Sequence, residues 1–287
     1  MGETAYEEKR WLTADGLNLA YRDYSGPRDR PPILCIPGLT RNARDFEPLA
    51  GRFAGEWRMI CPDMRGRGQS DYARDPSTYA PRVYVEDLEA LLLATGITRF
   101  VAIGTSLGGI LTMLLALAGP GRIAGAVLND IGPQVEENGL ARIREYVGQG
   151  RSYPTWIHAA RGLQQTMGEA CPHMAVQDWL RMAKRLMAIG QNGRIAFDYD
   201  MKIAEPFNQS GGAVGADMWP AWQALSGRPL LVLRGAHSDI LSDATLARMV
   251  ELVPGAEAVT IPGVGHAPTL EEPEALEAIA RLLETLA

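Results

Sequence analysis

The chain has 287 residues, 46% of them hydrophobic and 22% charged, with a net charge of −6. That is enough for one large α/β domain carrying an insertion, or for two modest domains, each with a sizeable core. The acidic balance, with no basic run interleaved with aromatics, argues against nucleic acid or an anionic membrane surface as a partner.

The three cysteines, Cys35, Cys61 and Cys171, have no metal-ligand spacing and read as buried reduced thiols, which implies a reducing compartment. The opening Met1 to Glu8 is acidic and lacks the apolar centre of a signal peptide, so a cytoplasmic location is expected. Lys9–Leu12 and Leu17–Tyr24 are predicted as antiparallel strands joined at Asp15-Gly16, a turn dipeptide. A polar, proline-rich surface loop from Ser25 to Pro32 then leads into Ile33-Leu34-Cys35-Ile36, short, apolar and bounded by prolines, hence a buried strand. Phe46, Leu49 and Phe53 recur at helical spacing, and Trp57–Cys61 is the next strand. Tyr84, Leu88, Leu91 and Leu92 mark a helix that stops at Gly96.

Val101 to Gly121 carries no charge and is long enough to span a bilayer. Its interruptions at Gly104, Gly108-Gly109 and Gly119-Pro120-Gly121 point instead to a central parallel strand followed by a buried helix. Ile123–Asn129 is predicted as another buried strand. The order strand–helix–strand–helix with short loops implies a mostly parallel sheet. From Gln134 to about Ser226 the pattern turns helical, over Leu140–Val147, Trp156–Met167 and Val176–Ile189, with many Met and Trp residues and no convincing buried strand. Strands resume at Leu230–Arg234 and Ala258–Ile261. A last helix opens on Pro273 with Leu276, Ile279, Ala280 and Leu283 on one face. The expected fold class is therefore α/β: a mostly parallel central sheet flanked by helices, built from residues 1–133 and 227–287, with residues 134–226 inserted as a helical cap.

Gly104-Thr105-Ser106-Leu107-Gly108 lies where the elbow strand meets its helix. The pattern fits a nucleophile elbow, a tight turn that lifts a serine hydroxyl clear of the sheet. The amide of Leu107, first in the helix, would point at an oxyanion. A serine hydroxyl attacks only when a base takes its proton. Of the four histidines, His158 and His173 fall inside the insertion. His237 and His266 fall in loops after the last two strands, at the sheet edge where sites of open α/β sheets collect. His266 is preferred because Gly263-Val264-Gly265 gives its loop the freedom to reach the elbow, with His237 as the second choice.

The acid that orients the imidazole could be Asp239, Asp130 or Asp243. Asp239 is favoured because Ile240-Leu241 follow it and its loop shortly precedes the strand and loop carrying His266; the order Ser106…Asp239…His266 is an acid-before-histidine order. Asp130 stands where the chain leaves for the insertion, which suggests a structural role at that exit.

With these elements in place, the sequence resembles the α/β-hydrolase family over nearly its whole length. The elbow, the strand-end Asp239, the Gly-x-Gly-His266-x-Pro loop and Asp63-x-Arg65-Gly66-x-Gly68-x-Ser70 match the family patterns in order. The resemblance implies that the Asp63–Ser70 segment is a structural loop. It also implies that the second oxyanion donor is the backbone amide of Leu39, with Thr40 as its neighbour. Members usually carry His-Gly where this chain has Pro37-Gly38, a change that a backbone donor tolerates.

Serine at the elbow separates the chain from relatives that open epoxides or displace halide with an aspartate. The expectation is a serine hydrolase cleaving an ester or related small acyl substrate through an acyl-enzyme, with no metal or organic cofactor. C–C bond hydrolysis of a vinylogous diketone and cofactor-free perhydrolase or haloperoxidase chemistry use the same three groups. A ligand-binding protein with little turnover is the alternative from a different class, and it would have no need of all three.

Overall fold

The computed structural model describes residues 4–119, 121–209 and 217–287. The first half of the chain forms β1 (Glu7–Leu12), β2 (Asn18–Tyr24), β3 (Ile33–Ile36), α1 (Glu47–Phe53), β4 (Met59–Pro62), α2 (Pro81–Thr95), β5 (Phe100–Thr105), α3 (Leu107–Ala118) and β6 (Ile123–Asn129). The uncharged run from Val101 is thus divided between β5 and α3. Among the described residues no helix is long and apolar enough to cross a membrane.

Between β6 and the next strand of the main sheet lie α4 (Glu137–Tyr146), β7 (Ser152–Tyr153), α5 (Trp156–Met167), α6 (Val176–Leu186), β8 (Met187–Ile189), β9 (Ile195–Phe197), α7 (Ala204–Gln209) and α8 (Trp219–Gln223). The chain closes with β10 (Leu230–Gly235), α9 (Asp243–Leu252), β11 (Ala256–Ile261) and α10 (Pro273–Glu284).

The main sheet runs β1-β2-β4-β3-β5-β6-β10-β11. β1, β2 and β4 pair antiparallel, and every pairing from β4 to β11 is parallel. The inner strands β3, β5, β6 and β10 are buried along nearly their whole length, which is why they read as continuous apolar runs. Edge strand β11 is buried only at its two ends, and between them half-buried and exposed positions alternate. Alternation through the sheet divides the core into two layers. Phe100 and Ala102 pack with Leu88, Leu111 and Trp222 on one face. Val101 and Ile103 pack with Phe46, Phe53 and Ile279 on the other.

The segment from 134 to 226 differs from its sequence reading in two ways, and its residues 210–216 lie outside the described residues. First, it is not purely helical: β7, β9 and β8 form a small antiparallel sheet in that order. These strands are two or three residues long, too short for a period of two to stand out in sequence. Second, its last helix packs with the main layers. In α8, Trp222 is fully buried among the residues under α3, and its indole Nε1–H donates to the Met249 carbonyl of α9 at 3.0 Å.

The Asp63–Ser70 segment is tied down throughout. Asp63 accepts the amides of Ala43 and Gln69, and Ser70 Oγ donates to the Asp63 carbonyl. Arg65, almost fully buried, forms a two-bond pair with the equally buried Asp87, at 2.7 and 2.6 Å, and a second pair with Asp15. A planar guanidinium matched to two carboxylates is a geometry that lysine cannot reproduce.

If α8 belongs to the core, Trp222→Ala should cost about 3–5 kcal/mol, the range for emptying a buried aromatic site. Urea unfolding followed by circular dichroism should show the loss in one cooperative transition. Trp156→Ala, on the half-buried start of α5, should cost distinctly less.

Candidate active site

The elbow is built from close backbone approaches. A Cβ on Gly108 would stand 2.0 Å from the Ile36 carbonyl oxygen, one on Gly104 2.4 Å from the Gly108 backbone, and one on Gly109 2.2 Å from Ile131 Cγ2. Only glycine lets α3 sit this near to β3 and β5. Ser106, between them, has φ 53° and ψ −117°, a region that side chains seldom occupy. Its amide is held by the Asn129 carbonyl at 3.0 Å. Asn129 is itself fully buried, and its Nδ2 donates to Thr105 Oγ1 and to the Pro268 carbonyl, linking the end of β6 to the elbow and to the loop after His266.

From Ser106 a chain of hydrogen bonds runs inward. Ser106 Oγ lies 2.9 Å from His266 Nε2, and His266 Nδ1 lies 2.7 Å from Asp130 Oδ2. Asp130 is fully buried, and two further donors hold its carboxylate: the Gly235 amide on Oδ1 and the Ser238 hydroxyl on Oδ2, both at 2.7 Å. With Nδ1–H on the aspartate, Nε2 is left as the acceptor facing the serine. This tautomer follows from the network. The loop carrying His266 packs on the end of β10, where a Gly235 Cβ would fall 2.5 Å from the Gly265 carbonyl. The Gly265 amide donates to the Ala170 carbonyl of the inserted segment at 2.7 Å.

The acid beside His266 is therefore Asp130, and the expectation for Asp239 is corrected. Asp239 pairs with Arg142 of α4 through two bonds, at 2.5 and 2.8 Å. Burial pushes its carboxyl up, but the hydrogen bonds and charge of Arg142 outweigh this and hold it below its ordinary value, with His266 acting in the same direction. The partner that claims Asp239 lies 97 positions away in sequence, beyond the reach of local pattern. Asp130 adopts the left-handed φ of 56°, and its carboxylate meets the Gly235 amide at the end of β10.

The other candidates separate as clearly. Asp243 is exposed and pairs with Arg234. His237 is exposed, and its amide serves the Val264 carbonyl. His158 Nδ1 is hydrogen-bonded to Thr155 Oγ1 at the start of α5, and His173 Nδ1 to the Gly263 carbonyl. No group of three His, Cys, Asp or Glu side chains among the described residues is arranged to hold a metal ion.

Leu39 and Leu107 both line the hollow beside Ser106. Among the described residues, neither amide donates to an acceptor in the protein. The Leu39 carbonyl is gripped by the fully buried Arg67 guanidinium through Nε at 2.9 Å and Nη2 at 2.6 Å. Arg67 also donates to the Arg65 carbonyl and to Tyr84, and its guanidinium lies 4.8 Å from the Tyr84 ring centre. The resemblance implies only a structural loop around Arg67; that its guanidinium fixes the Leu39 peptide is visible in the structure alone. The signal was the motif, but the contact is tertiary.

Two hollows meet at Ser106. The larger, about 470 Å³, lies under the inserted segment, which contributes Tyr146, Met167, Met182 and Arg185 to its walls. The smaller, about 100 Å³, is apolar, between Leu107, Ile110, Ile131, Leu140 and Ile143. In the larger hollow burial disfavours the Arg41 cation, yet Asp45, bonded through Nε and Nη2, more than offsets this and raises it. Burial likewise pushes the Tyr146 phenol up, against the pull of Arg142 and Arg41.

Comparison with known proteins places these features in context. A family model described as alpha/beta hydrolase fold matches residues 31–273. A 3-hydroxybutyrate-oligomer hydrolase of Cupriavidus necator is 32% identical over 270 residues, covering 91% of this chain and 92% of that protein. A 2-(acetamidomethylene)succinate hydrolase of Mesorhizobium japonicum is 25% identical, covering 88% of both chains. The crystal structure of an alpha/beta hydrolase from Novosphingobium aromaticivorans superposes with a TM-score of 0.94 at 62% identity, covering 99% of both chains.

Two measurements check the geometry. Asp130→Asn should lower kcat on an activated ester by about 10²–10⁴ through the wrong imidazole tautomer, with the thermal melt little changed. Asp239→Asn, on the same ester, should fall well short of that loss. Arg67→Met should leave the Leu39 carbonyl unpaired and loosen the loop, lowering kcat by roughly 10–100-fold, and a kcat equal to wild type would count against that role for Arg67.

Proposed function

Because the chain belongs to the alpha/beta hydrolase fold family, whose model spans most of its length, we propose that this hydrolase cleaves esters of small acyl groups through a covalent acyl-enzyme on Ser106. The observation that carries the reading is the unbroken relay Ser106 Oγ–His266 Nε2–His266 Nδ1–Asp130 Oδ2 at 2.9 and 2.7 Å, opening onto a cavity.

In the proposed reaction, Ser106 Oγ attacks the ester carbonyl carbon as its proton passes to His266 Nε2. The buried Asp130 carboxylate stabilises the imidazolium that forms. Negative charge develops on the carbonyl oxygen, and the amides of Leu39 and Leu107 donate to it; one preorganised donor of this type contributes about 2.7–4 kcal/mol to the barrier reduction. Collapse expels the alkoxide, which takes the proton from Nε2. Water, deprotonated in turn by His266, then attacks the acyl-enzyme, releases the acid and restores Ser106. The inserted segment acts as a cap, since its side chains wall the cavity above the serine.

The ester, among the bonds this relay can break, is favoured by the Cupriavidus necator relative, because oligomers of a hydroxy acid are joined by ester bonds. The experiment is intact-mass spectrometry after treatment with a fluorophosphonate. One adduct is expected, mapping to Ser106 and absent from Ser106→Ala, together with loss of ester turnover in that variant. Full hydrolysis by Ser106→Ala, or an adduct elsewhere, would overturn the reading.

A further inference from the structure

The larger hollow has a cationic wall. Arg41, Arg142, Arg151 and Arg185 line it, against the carboxylates of Asp45 and Glu145. Two of the four cations already hold a carboxylate through a two-bond pair, Arg41 with Asp45 and Arg142 with Asp239.

Arg185, at the end of α6, is different. Its side chain is 9% exposed, and its Nη2 forms an ion pair with Glu271 Oε1 at 2.5 Å. Its Nε–H is buried and meets no acceptor among the described residues. A guanidinium has five donors, and leaving one buried and unmade is costly. The backbone is firmly placed: the Arg185 carbonyl accepts from Asn42 Nδ2 at 3.1 Å and Arg44 Nε at 2.9 Å. Those residues lie two and four positions after Thr40, so the position of Arg185 is coupled to the loop beside the serine.

On the other side of Ser106 the small hollow has the opposite character. Its volume is about 100 Å³, and its walls include Leu107, Ile110 and Ile131. A substrate spanning the serine would need a short apolar arm at one end and an anion at the other.

We infer that the substrate is a carboxylate-bearing ester, its anion held by Arg185 on the cap side of the cavity and a short aliphatic arm seated against Leu107 and Ile110. This deepens the ester-hydrolase reading and rests on it. A carboxylate is the simplest planar anion that matches the guanidinium fork, and Arg185, whose Nε–H meets no acceptor among the described residues, keeps donor capacity beyond its ion pair with Glu271.

The test compares monoethyl glutarate with diethyl glutarate. In the wild type kcat/KM should favour the monoanion at least tenfold, and Arg185→Met should reduce that ratio at least tenfold. A wild type that prefers the diester, or a variant that keeps the ratio, overturns the inference. Should Arg185→Met fail to fold, glutarate against glutaramide decides in the wild type: competitive inhibition of diester turnover by glutarate alone supports the site, and equal or absent inhibition sinks it. Calorimetry of glutarate binding to Ser106→Ala separates the two proposals. Binding without turnover of any ester by the wild type would fault the ester reading and keep the anion site. Turnover of esters without binding would do the reverse.

Discussion

The close approach of α3 to the ends of β3 and β5 is the constraint from which the rest of the site follows. Gly104 and Gly108 allow backbone contacts that no side chain would survive, and Ser106 is held between them in a strained conformation. The strain persists because the surroundings over-determine it: the Ser106 amide is fixed by Asn129, and the same asparagine holds Thr105 and the Pro268 carbonyl. Serine and histidine, 160 positions apart, thus share one anchor at the end of β6.

The two aspartates at this sheet edge show how environment divides roles between identical side chains. Asp130 is sealed off from water and surrounded by three donors, the Gly235 amide, the Ser238 hydroxyl and His266. A carboxylate held by three donors is fixed in place, which suits it to orient an imidazole. Asp239 is half-buried and binds Arg142, so it joins α4 of the inserted segment to the loop after β10. Similar ties recur around the cavity. Arg44 reaches Asp198, Tyr79 reaches Asp200, and Gly265 reaches Ala170. The inserted segment is therefore held to the main layers by directional bonds spread over several loops, as well as by apolar packing of Trp179 and Met182.

Arginines do much of the positioning. Arg65 joins two acidic side chains from separate elements, and Arg67 clamps the Leu39 peptide. Arg41, Arg142 and Arg185 form the polar side of the cavity. Buried ion pairs seldom add much net stability, since desolvation cancels most of the attraction. Their value here is geometric: each guanidinium sets the separation and angle of the groups it bridges.

How much of this was legible in the sequence follows from the range of the forces involved. The strands β3, β5, β6 and β10, the helices flanking them, the elbow at Ser106 and the choice of His266 were all readable, because continuous apolar runs, glycine spacing and strand-end loops are local signals. The short strands β7 to β9 were not, since two or three residues cannot display a period. Nor was the attachment of α8 to the core through Trp222, because a tryptophan at helical spacing looks the same whichever layer receives it. The choice between Asp130 and Asp239 lay beyond sequence for a sharper reason. Both follow strands at the same sheet edge, and what separates them is a left-handed backbone angle at Asp130 and an arginine that reaches Asp239 from the inserted segment. By itself the sequence determined which residue types stand at the sheet edge. Only the packing of distant elements decided which of them touch, because hydrogen-bond partners are set by three-dimensional distance, and chain separation carries almost no information about it.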